Sequence, residues 1–337
     1  MELGVTLLPD CPHERLLELA RLAEAGGFAY LGIADSQSLA RDVYVALTAL
    51  ALETRRIRIG PTVTNPLTRH PAVTASAIAS VDEVCGGRAF LGVGSGDSAV
   101  LNLDLPPARL AEMREFLRAL RELLQGGTYR YGEAEIHTRW VRRPLPLVLA
   151  AEGPKTLELG GELADAVLIH TGLTPEILGS SIARVREGER RAGRRPGSVG
   201  IWAFAKCNVG DTREAAIEEI KMGLAASAHH AFRATLEGKY VPADLHERVR
   251  RLLREYDTSQ HERAGATRNA ALPDELGLTD YLARRFAVVG DPESCQRDVR
   301  SLAELGVDVL FLTAIGPDPE RILRRLSREV LAPLRAS

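Results

Sequence analysis

The sequence has few cysteines, and they are widely separated. Cys11, Cys85, Cys207 and Cys295 are the only four among 337 residues, and no two of them form a C-x-x-C pair. This spacing argues against a disulfide framework and against a cysteine-based zinc site. We therefore predict free, mostly buried thiols in a reducing compartment, and we predict no metal centre.

The net charge is also small, and long apolar runs are absent from the sequence. The formal net charge is −2, and only four of the 43 basic residues are lysines. No strong field attracts DNA or an anionic membrane, so nucleic acid is not an expected partner. No apolar run approaches the roughly 18 residues that span a bilayer, and the opening MELGVTLLPD lacks the features of a signal peptide. We expect a cytoplasmic protein without a membrane segment.

The chain lacks a Ser-, Gly- or Pro-rich linker that would divide it into domains. Short apolar runs instead alternate with helical patterns, and the first three such units begin at Leu3, Tyr30 and Ile57. Repeated βα units demand a parallel sheet, and about eight of them favour a closed (β/α)8 TIM barrel over an open doubly wound α/β sheet. A polar, mostly helical stretch at about 211–290 interrupts the repeat. We predict one domain over residues 1–337, with a helical insertion between strands 7 and 8.

The loops after the strands of such a barrel gather at one end, which carries the chemistry. The third loop, GPTVTNPLTRHP, combines prolines with Asn65. This composition indicates a fixed backbone excursion. It is either a shelf for a flat ring or a stiff turn before the helix at Pro71.

The fourth loop, GSGDS, places Asp97 just beyond glycines that let backbone approach a ligand. Asp97 is either a carboxylate at the barrel mouth or the N-cap of the next helix. The glycines do not form a dinucleotide fingerprint, because position 97 is Asp where the third glycine should stand. We reject an NAD site here.

The fifth loop, EGPKT, puts Gly153 and Pro154 at a helix start and Lys155 and Thr156 in its first turn. Free backbone N–H groups, a lysine and a hydroxyl together predict a seat for a phosphate.

Four further residues have two readings each. Asp35, after the second strand, is a second rim carboxylate or a turn-forming residue. His170, at the end of the sixth strand, contacts a cofactor edge or is a satisfied structural group. Trp202 and Phe204 alternate on the seventh strand, and the pattern does not decide which one lies in the core and which one stacks on a ring.

Three stretches of the sequence resemble the bacterial luciferase-like family of TIM-barrel flavin and deazaflavin enzymes. They are GPTVTNPLTRHPAVTASAIASVDEVCGGRAFLGVGSGD, EGPKTLELGGELADAVLI and FAVVGDPESCQRDVRSLAELGVDVLFL. Within the family the chain is most similar to the deazaflavin-dependent reductases of the methylenetetrahydromethanopterin reductase type. The resemblance implies an oxidoreductase that acts on a small-molecule substrate, and it implies a homodimer.

The resemblance also implies roles for individual residues. A non-prolyl cis peptide at Thr62–Val63 would support the middle ring of the cofactor, and Gly153 to Thr156 would bind its phosphate. Asp97 corresponds to an acid near the reacting edge, and Asp35 to an acid of the pocket. The other expected cofactor contacts are Thr64, Asn65, Gly96, Ala151 and His170.

The motifs leave the cofactor and the reaction open between three hypotheses. RHPAV, GGR and G-x-G also occur in FMN-dependent monooxygenases, whereas the NP-x-TRHPAVTASAIASVDE run and GSGD favour coenzyme F420. We predict an F420-dependent hydride transfer, with an FMN monooxygenase and a non-catalytic cofactor carrier as alternatives. Thr6 replaces an acid, and Ser36 replaces a histidine, that relatives carry. The sequence therefore does not identify the substrate.

Overall fold

The structure, a computed structural model, describes residues 1–263 and 265–336. Its strands, in chain order, are β1 (Glu2–Leu7), β2 (Tyr30–Ile33), β3 (Arg58–Pro61), β4 (Leu91–Val93), β5 (Thr128–Tyr131), β6 (Ala134–His137), β7 (Leu147–Ala151), β8 (Ala166–Ile169), β9 (Gly200–Val209), β10 (Ala287–Gly290) and β11 (Val309–Ala314). Eight of them are hydrogen-bonded in the order β3-β2-β1-β11-β9-β8-β7-β4. All pairs in this order are parallel.

The sheet closes on itself between β3 and β4. Isolated parallel bridges join Ile59 to Ala89 and Thr64 to Val93, so the two ends of the strand order meet. The predicted (β/α)8 barrel is confirmed.

Helices surround this sheet. They are α1 (His13–Ala25), α2 (Val43–Glu53), α3 (Pro71–Val84), α4 (Ser98–Leu101), α5 (Leu110–Leu123), α6 (Pro154–Leu163), α7 (Pro175–Arg191), α8 (Arg213–Glu218), α9 (Lys221–Phe232), α10 (His246–Glu255), α11 (Arg268–Glu275), α12 (Thr279–Phe286), α13 (Pro292–Glu304), α14 (Pro319–Arg325) and α15 (Ala332–Ala336). Two 3₁₀ turns, Ala243–Leu245 and Thr258–Gln260, and a π-helical turn, Leu326–Leu331, complete them. Within the described ranges, no helix is long and apolar enough to cross a membrane.

The first βα unit shows why the sequence folds in this way. Helix α1 buries Leu16, Leu19 and Ala20 at helical spacing against the sheet. The helix stops before Gly27, whose φ of 87° is accessible mainly to glycine. The same sequence of strand, apolar helix face and glycine stop recurs around the barrel.

Aromatic side chains fill the barrel interior near the N-terminal ends of its strands. Trp202 packs against Tyr30, Phe90 and Phe311, with ring centroids 5.0 to 5.5 Å apart. Phe204, two residues further along β9, lies instead in the wall of the open end. The structure thus makes Trp202 the core residue and leaves Phe204 available to a ligand.

The predicted insertion between strands 7 and 8 is confirmed. Helices α8 to α12 pack around an apolar cluster of their own, which includes Ile220, Phe232 and Leu282. The segment ends in β10, which pairs with the C-terminal half of β9, from Ala287 beside Lys206 to Gly290 beside Val209. Strand β10 is therefore a ninth parallel strand outside the circular order.

A β-hairpin of β5 and β6 was not predicted. Thr128 pairs with His137 and Tyr131 with Ala134, around a two-residue turn at Gly132 and Glu133. Gly132 has a φ of 61°, which is typical of such turns. Two short β-prone runs on either side of a glycine-containing pair were the signal in the sequence.

The four cysteines are free thiols, as expected. Three of them are buried, and Cys11 is partly buried.

Candidate active site

The C-terminal end of the barrel opens into a cavity of about 700 Å³. Loops that follow the strands form one side of it, and the insertion forms the other. The predicted site residues that line it are Asp35, Thr62, Val63, Thr64, Asn65, Gly96, Asp97, Ala151, Gly153, Pro154, Thr156 and His170. The topology therefore gathers all of the predicted site residues except Lys155 around one cavity.

The loop after β3 forms a fixed shelf in this cavity. The Thr62–Val63 peptide bond is cis. The Thr62 N–H donates to the carbonyl of Ile33 (2.9 Å), and the Thr64 N–H donates to that of Gly92 (2.9 Å). The shelf is thus hydrogen-bonded to both neighbouring strands, β2 and β4.

Asp35 stabilises this shelf through hydrogen bonds. Its carboxylate, 2% exposed, accepts hydrogen bonds from Thr64 Oγ1 (2.7 Å) and Arg69 Nη1 (2.5 Å). Asn65 adds a local turn, because its Oδ1 accepts the N–H groups of Leu67 and Thr68, both at 3.0 Å. Asp35 is therefore a buried, paired carboxylate and not a simple turn former.

Asp97 is paired across the cavity mouth with the insertion. Its Oδ2 lies 2.8 Å from Nδ1 of His230, and its Oδ1 accepts a hydrogen bond from Arg233. Burial alone would raise the pKa of Asp97, but the hydrogen bond and charge of His230 and the charge of Arg233 hold it well below the usual range. Asp97 is the N-cap residue of α4, but among the described residues its side chain accepts no hydrogen bond from a backbone N–H of that helix. Its carboxylate is paired with the insertion instead.

Asp97, His230 and Arg233 form a charged cluster, and Glu152, which directly follows β7, belongs to it as well. Its Oε1 lies 3.1 Å from Nε2 of His230 and 3.2 Å from Nδ1 of His170. Burial favours a neutral His230, but the two carboxylates on either side of it raise its pKa to about 10. Burial lowers the pKa of His170, and the neighbouring imidazoles hold the pKa of Glu152 well below its ordinary value despite its burial. Charges of alternating sign thus connect the loop after β4, the insertion and the loop after β7.

A second ion pair in the cavity wall joins Lys206 of β9 to Glu262. The Lys206 ammonium also lies 5.4 Å from the ring centroid of Phe204. Burial would raise the pKa of Glu262, yet the charge of Lys206 lowers it to about 2. The cavity wall therefore holds a second pair of opposite charges.

Sequence reasoning missed five of these residues: Glu152, Lys206, His230, Arg233 and Glu262. Two of them carried a signal, because Glu152 directly follows a barrel strand and Lys206 continues the alternation of Trp202 and Phe204. The other three lie in the insertion, outside any recognisable motif.

Lys155 is the one predicted site residue that lies outside the cavity wall. Its side chain is exposed and is not among the residues that line the cavity. Helix α6 does begin at the cavity, with Gly153 as an N-cap that provides no side-chain hydrogen bond. The cations that line the cavity are others, and they include Arg184 of α7 and Lys239 of the insertion, whose Nζ lies 3.5 Å from the carbonyl oxygen of Glu152.

Comparison with known proteins identifies the family. The family described as "Luciferase-like monooxygenase" matches residues 1–309. The chain belongs to this luciferase-like family. The match covers strands β1 to β10 and the whole insertion.

Two curated relatives and one solved structure are similar over most of the chain. The 5,10-methylenetetrahydromethanopterin reductase of Archaeoglobus fulgidus is 30% identical, over 99% of this chain and 100% of that protein. An F420-dependent glucose-6-phosphate dehydrogenase of Amycolatopsis mediterranei is 28% identical, over 86% and 83%. The coenzyme F420-dependent tetrahydromethanopterin reductase of Methanopyrus kandleri superposes with a TM-score of 0.79 at 27% identity, covering 99% of each chain.

Proposed function

We propose that this protein is a coenzyme F420-dependent oxidoreductase of the methylenetetrahydromethanopterin reductase type, which transfers a hydride between the deazaflavin and an organic substrate. The observation that carries the proposal is the full-length similarity to these reductases, at 30% identity for the relative from Archaeoglobus fulgidus. The cavity supports it, because a shelf for a planar group and a helix N-terminus lie in its wall.

The cavity fits a large ligand with a flat ring system and polar edges. Besides Glu152 Oε1, which faces the two imidazoles, four buried polar atoms in its wall have no hydrogen-bond partner among residues 1–263 and 265–336: Asn65 Nδ2, Ser227 Oγ, Thr313 Oγ1 and Arg285 Nη2. Buried polar groups are normally paired, so these atoms favour a polar ligand. We propose that the ring system is held by Thr62, Val63, Thr64, Asn65, Gly96, Ala151 and His170, and that the phosphate is held by Gly153, Pro154 and Thr156.

Coenzyme F420, when bound, supplies or accepts a hydride at C5 of its deazaflavin ring. The protein's own contribution is positioning, since a near-attack geometry can be worth roughly 7 to 11 kcal/mol. We propose that Asp97, fixed by His230 and Arg233, keeps a carboxylate at the reacting edge for proton balance. Asp35 is proposed to act through the shelf, because its oxygens are already committed to Thr64 and Arg69.

Binding and turnover assays test this function directly. The apo-protein is titrated with coenzyme F420 and with FMN, following the fluorescence of each. It is then mixed with reduced F420 and methylenetetrahydromethanopterin, and deazaflavin oxidation is recorded. We expect tight binding of F420 and weak binding of FMN, together with substrate-dependent oxidation. F420 binding without oxidation across a panel of substrates would indicate a cofactor carrier.

An FMN-dependent monooxygenase is the second candidate, because the matching family is described by that activity. Selective binding of FMN, with oxygen consumption in the presence of a flavin reductase, would establish this alternative and exclude the first.

We further propose that residues 1–337 form one domain that assembles as a cytoplasmic homodimer. An exposed apolar surface on α2 and α3 supports the dimer: Val45, Leu52 and Val73 are 59%, 63% and 56% exposed. Exposed apolar patches of this kind often mark protein interfaces. Light scattering should give the mass of two chains for the native protein and of one chain for Leu52→Glu. A monomeric native protein would contradict the assembly but not the enzymatic function.

A further inference from the structure

Three side chains at the cavity wall place a set of metal-ligating atoms together. They are Glu152, which follows β7, His170, which follows β8, and His230 of α9. One ligand atom from each lies within 4.8 Å of the other two. No sequence motif indicates this grouping, because the three residues come from separate segments that only the fold brings together.

Two of the three ligand–ligand distances match the edges of a tetrahedral site. Metal–ligand bonds of about 2.0 to 2.1 Å to nitrogen and oxygen imply ligand–ligand distances of roughly 3.3 Å in tetrahedral geometry. Oε1 of Glu152 lies 3.1 Å from Nε2 of His230 and 3.2 Å from Nδ1 of His170. Two edges of a coordination tetrahedron are therefore present before any ion binds.

A supporting contact orients one of the histidines. Nδ1 of His230 lies 2.8 Å from Oδ2 of Asp97, which leaves Nε2 directed at Glu152. Metal-ligating histidines commonly donate their other ring N–H to a carboxylate in this way, which fixes the tautomer and raises the basicity of the ligand. Asp97 would thus orient His230 without contacting the ion itself.

We propose that Glu152, His170 and His230 form a binding site for one divalent ion of the zinc class, with a fourth coordination position open to the cavity. Two imidazoles and one carboxylate suit Zn²⁺, Co²⁺ or Ni²⁺, whereas Mg²⁺ and Ca²⁺ prefer sites made of oxygen atoms. The ion takes the place of the proton between His230 and Glu152, because a nitrogen lone pair binds only one of them. This inference does not depend on the proposed hydride transfer.

The test is a titration of the metal-free, cofactor-free protein with Co²⁺, whose visible spectrum reports its coordination. We expect saturation at one ion per chain, an intense spectrum of the four-coordinate type, and displacement of Co²⁺ by Zn²⁺ but not by Mg²⁺. His170→Gln and His230→Gln should each remove the spectrum, and Asp97→Asn should weaken binding by about 10- to 100-fold. Circular dichroism and the melting temperature show whether each variant is folded.

His137→Gln is the matched control, because His137 and Glu135 form a surface pair, 3.7 Å apart, on the hairpin. This variant should bind Co²⁺ as the native protein does. The Co²⁺ titration of the native protein tests the proposal even if a variant fails to fold. A lack of saturable binding, a six-coordinate spectrum, or binding that survives in folded His170→Gln and His230→Gln proteins would overturn the proposal.

Discussion

Asp97 and His230 lie 133 positions apart in the chain, yet their side chains are in contact, with Oδ2 of the first 2.8 Å from Nδ1 of the second. Arg233, one helical turn further on, contacts the other oxygen of the same carboxylate. These two contacts connect the loop after β4 to the insertion across the mouth of the cavity. The carboxylate is thereby fixed in position before any ligand binds.

Asp97→Asn should therefore reduce turnover much more than cofactor affinity. Loss of a positioned acid–base group typically costs about 10² to 10⁴ in rate, and the amide also leaves the Arg233 charge without its partner. Single-turnover kinetics measure the hydride step, and fluorescence titration measures cofactor binding. Asp10→Asn, at an exposed position outside the cavity, serves as the control. Equal rates for the native and Asp97→Asn proteins would remove Asp97 from the mechanism.

The shelf depends on the absence of a side chain at Gly32. A Cβ atom at this position of β2 would lie 2.3 Å from Oγ1 of Thr62. Gly32→Ala should displace Thr62 and weaken cofactor binding by at least about fivefold, because a displaced support costs about 1 kcal/mol or more. The dissociation constant for F420 is the measurement.

Gly200→Ala is the control for this effect. Gly200 starts β9 at the closed end of the barrel, where a Cβ would lie 3.3 Å from that of Ala166. This variant should bind the cofactor normally. If Gly32→Ala binds F420 as tightly as Gly200→Ala does, the shelf does not hold the ring.

The barrel could be predicted because its signals are local. Each strand, helix face and terminating glycine is encoded within about thirty residues, and repetition of the unit specifies the sheet. The shelf and the start of α6 were also predictable, since both directly follow strands and their positions at the open end follow from barrel topology.

The charged cluster could not be predicted because it depends on tertiary contacts. His230 and Arg233 occupy a helix whose pattern indicates only burial, and their partner Asp97 lies on the opposite side of the cavity. Lys155 illustrates the converse error. A lysine in the first turn of a helix indicates an anion site, but the direction of its side chain depends on packing around α6 that the sequence does not reveal.

Replacement of the cations around α6 tests the phosphate site. Arg184→Ala and Lys239→Ala should each weaken F420 binding by about 10- to 100-fold, because a hydrogen bond to a charged group contributes roughly 1.5 to 3 kcal/mol. Lys155→Ala should leave the affinity unchanged, since this side chain is outside the cavity wall. Titrations at two salt concentrations measure the effect. A loss of affinity confined to Lys155→Ala would restore the original sequence interpretation.

Glu24 should make the stability of the fold dependent on pH. Its Oε1 accepts the N–H groups of Arg55 (2.9 Å), Arg56 (2.6 Å) and Ile57 (3.0 Å), just before β3. Burial raises the pKa of Glu24, but these three hydrogen bonds outweigh it and lower the pKa below its ordinary value. The resulting stability is fully present above the unfolded-state pKa and is lost as pH falls through the lower, folded-state value.

Glu24→Gln should therefore destabilise the protein by about 2 kcal/mol at neutral pH, and the difference from the native protein should shrink below about pH 4. Urea unfolding at a series of pH values measures this difference. Glu14→Gln, at an exposed position in the first turn of the same helix, should change the unfolding free energy less, by about 0.3 to 1 kcal/mol, which is the usual contribution of an exposed acid near a helix N-terminus. A difference that stays constant down to acid pH would contradict the role of the carboxylate.

Two glycines of α7 should respond in opposite ways to the same substitution. A Cβ at Gly188 would lie 1.9 Å from the carbonyl oxygen of Glu158 in α6, so Gly188→Ala forces the two helices apart. A Cβ at Gly179 would meet nothing within 4 Å.

We expect Gly188→Ala to cost about 3 kcal/mol of unfolding free energy, and Gly179→Ala to gain about 0.5 to 1 kcal/mol from its better helix propensity. Because α6 begins at the proposed phosphate site, Gly188→Ala should also weaken F420 binding, and Gly179→Ala should not. Thermal unfolding and cofactor titration of the two variants measure both effects. Equal stabilities would mean that α6 and α7 do not approach each other as closely as these atoms indicate.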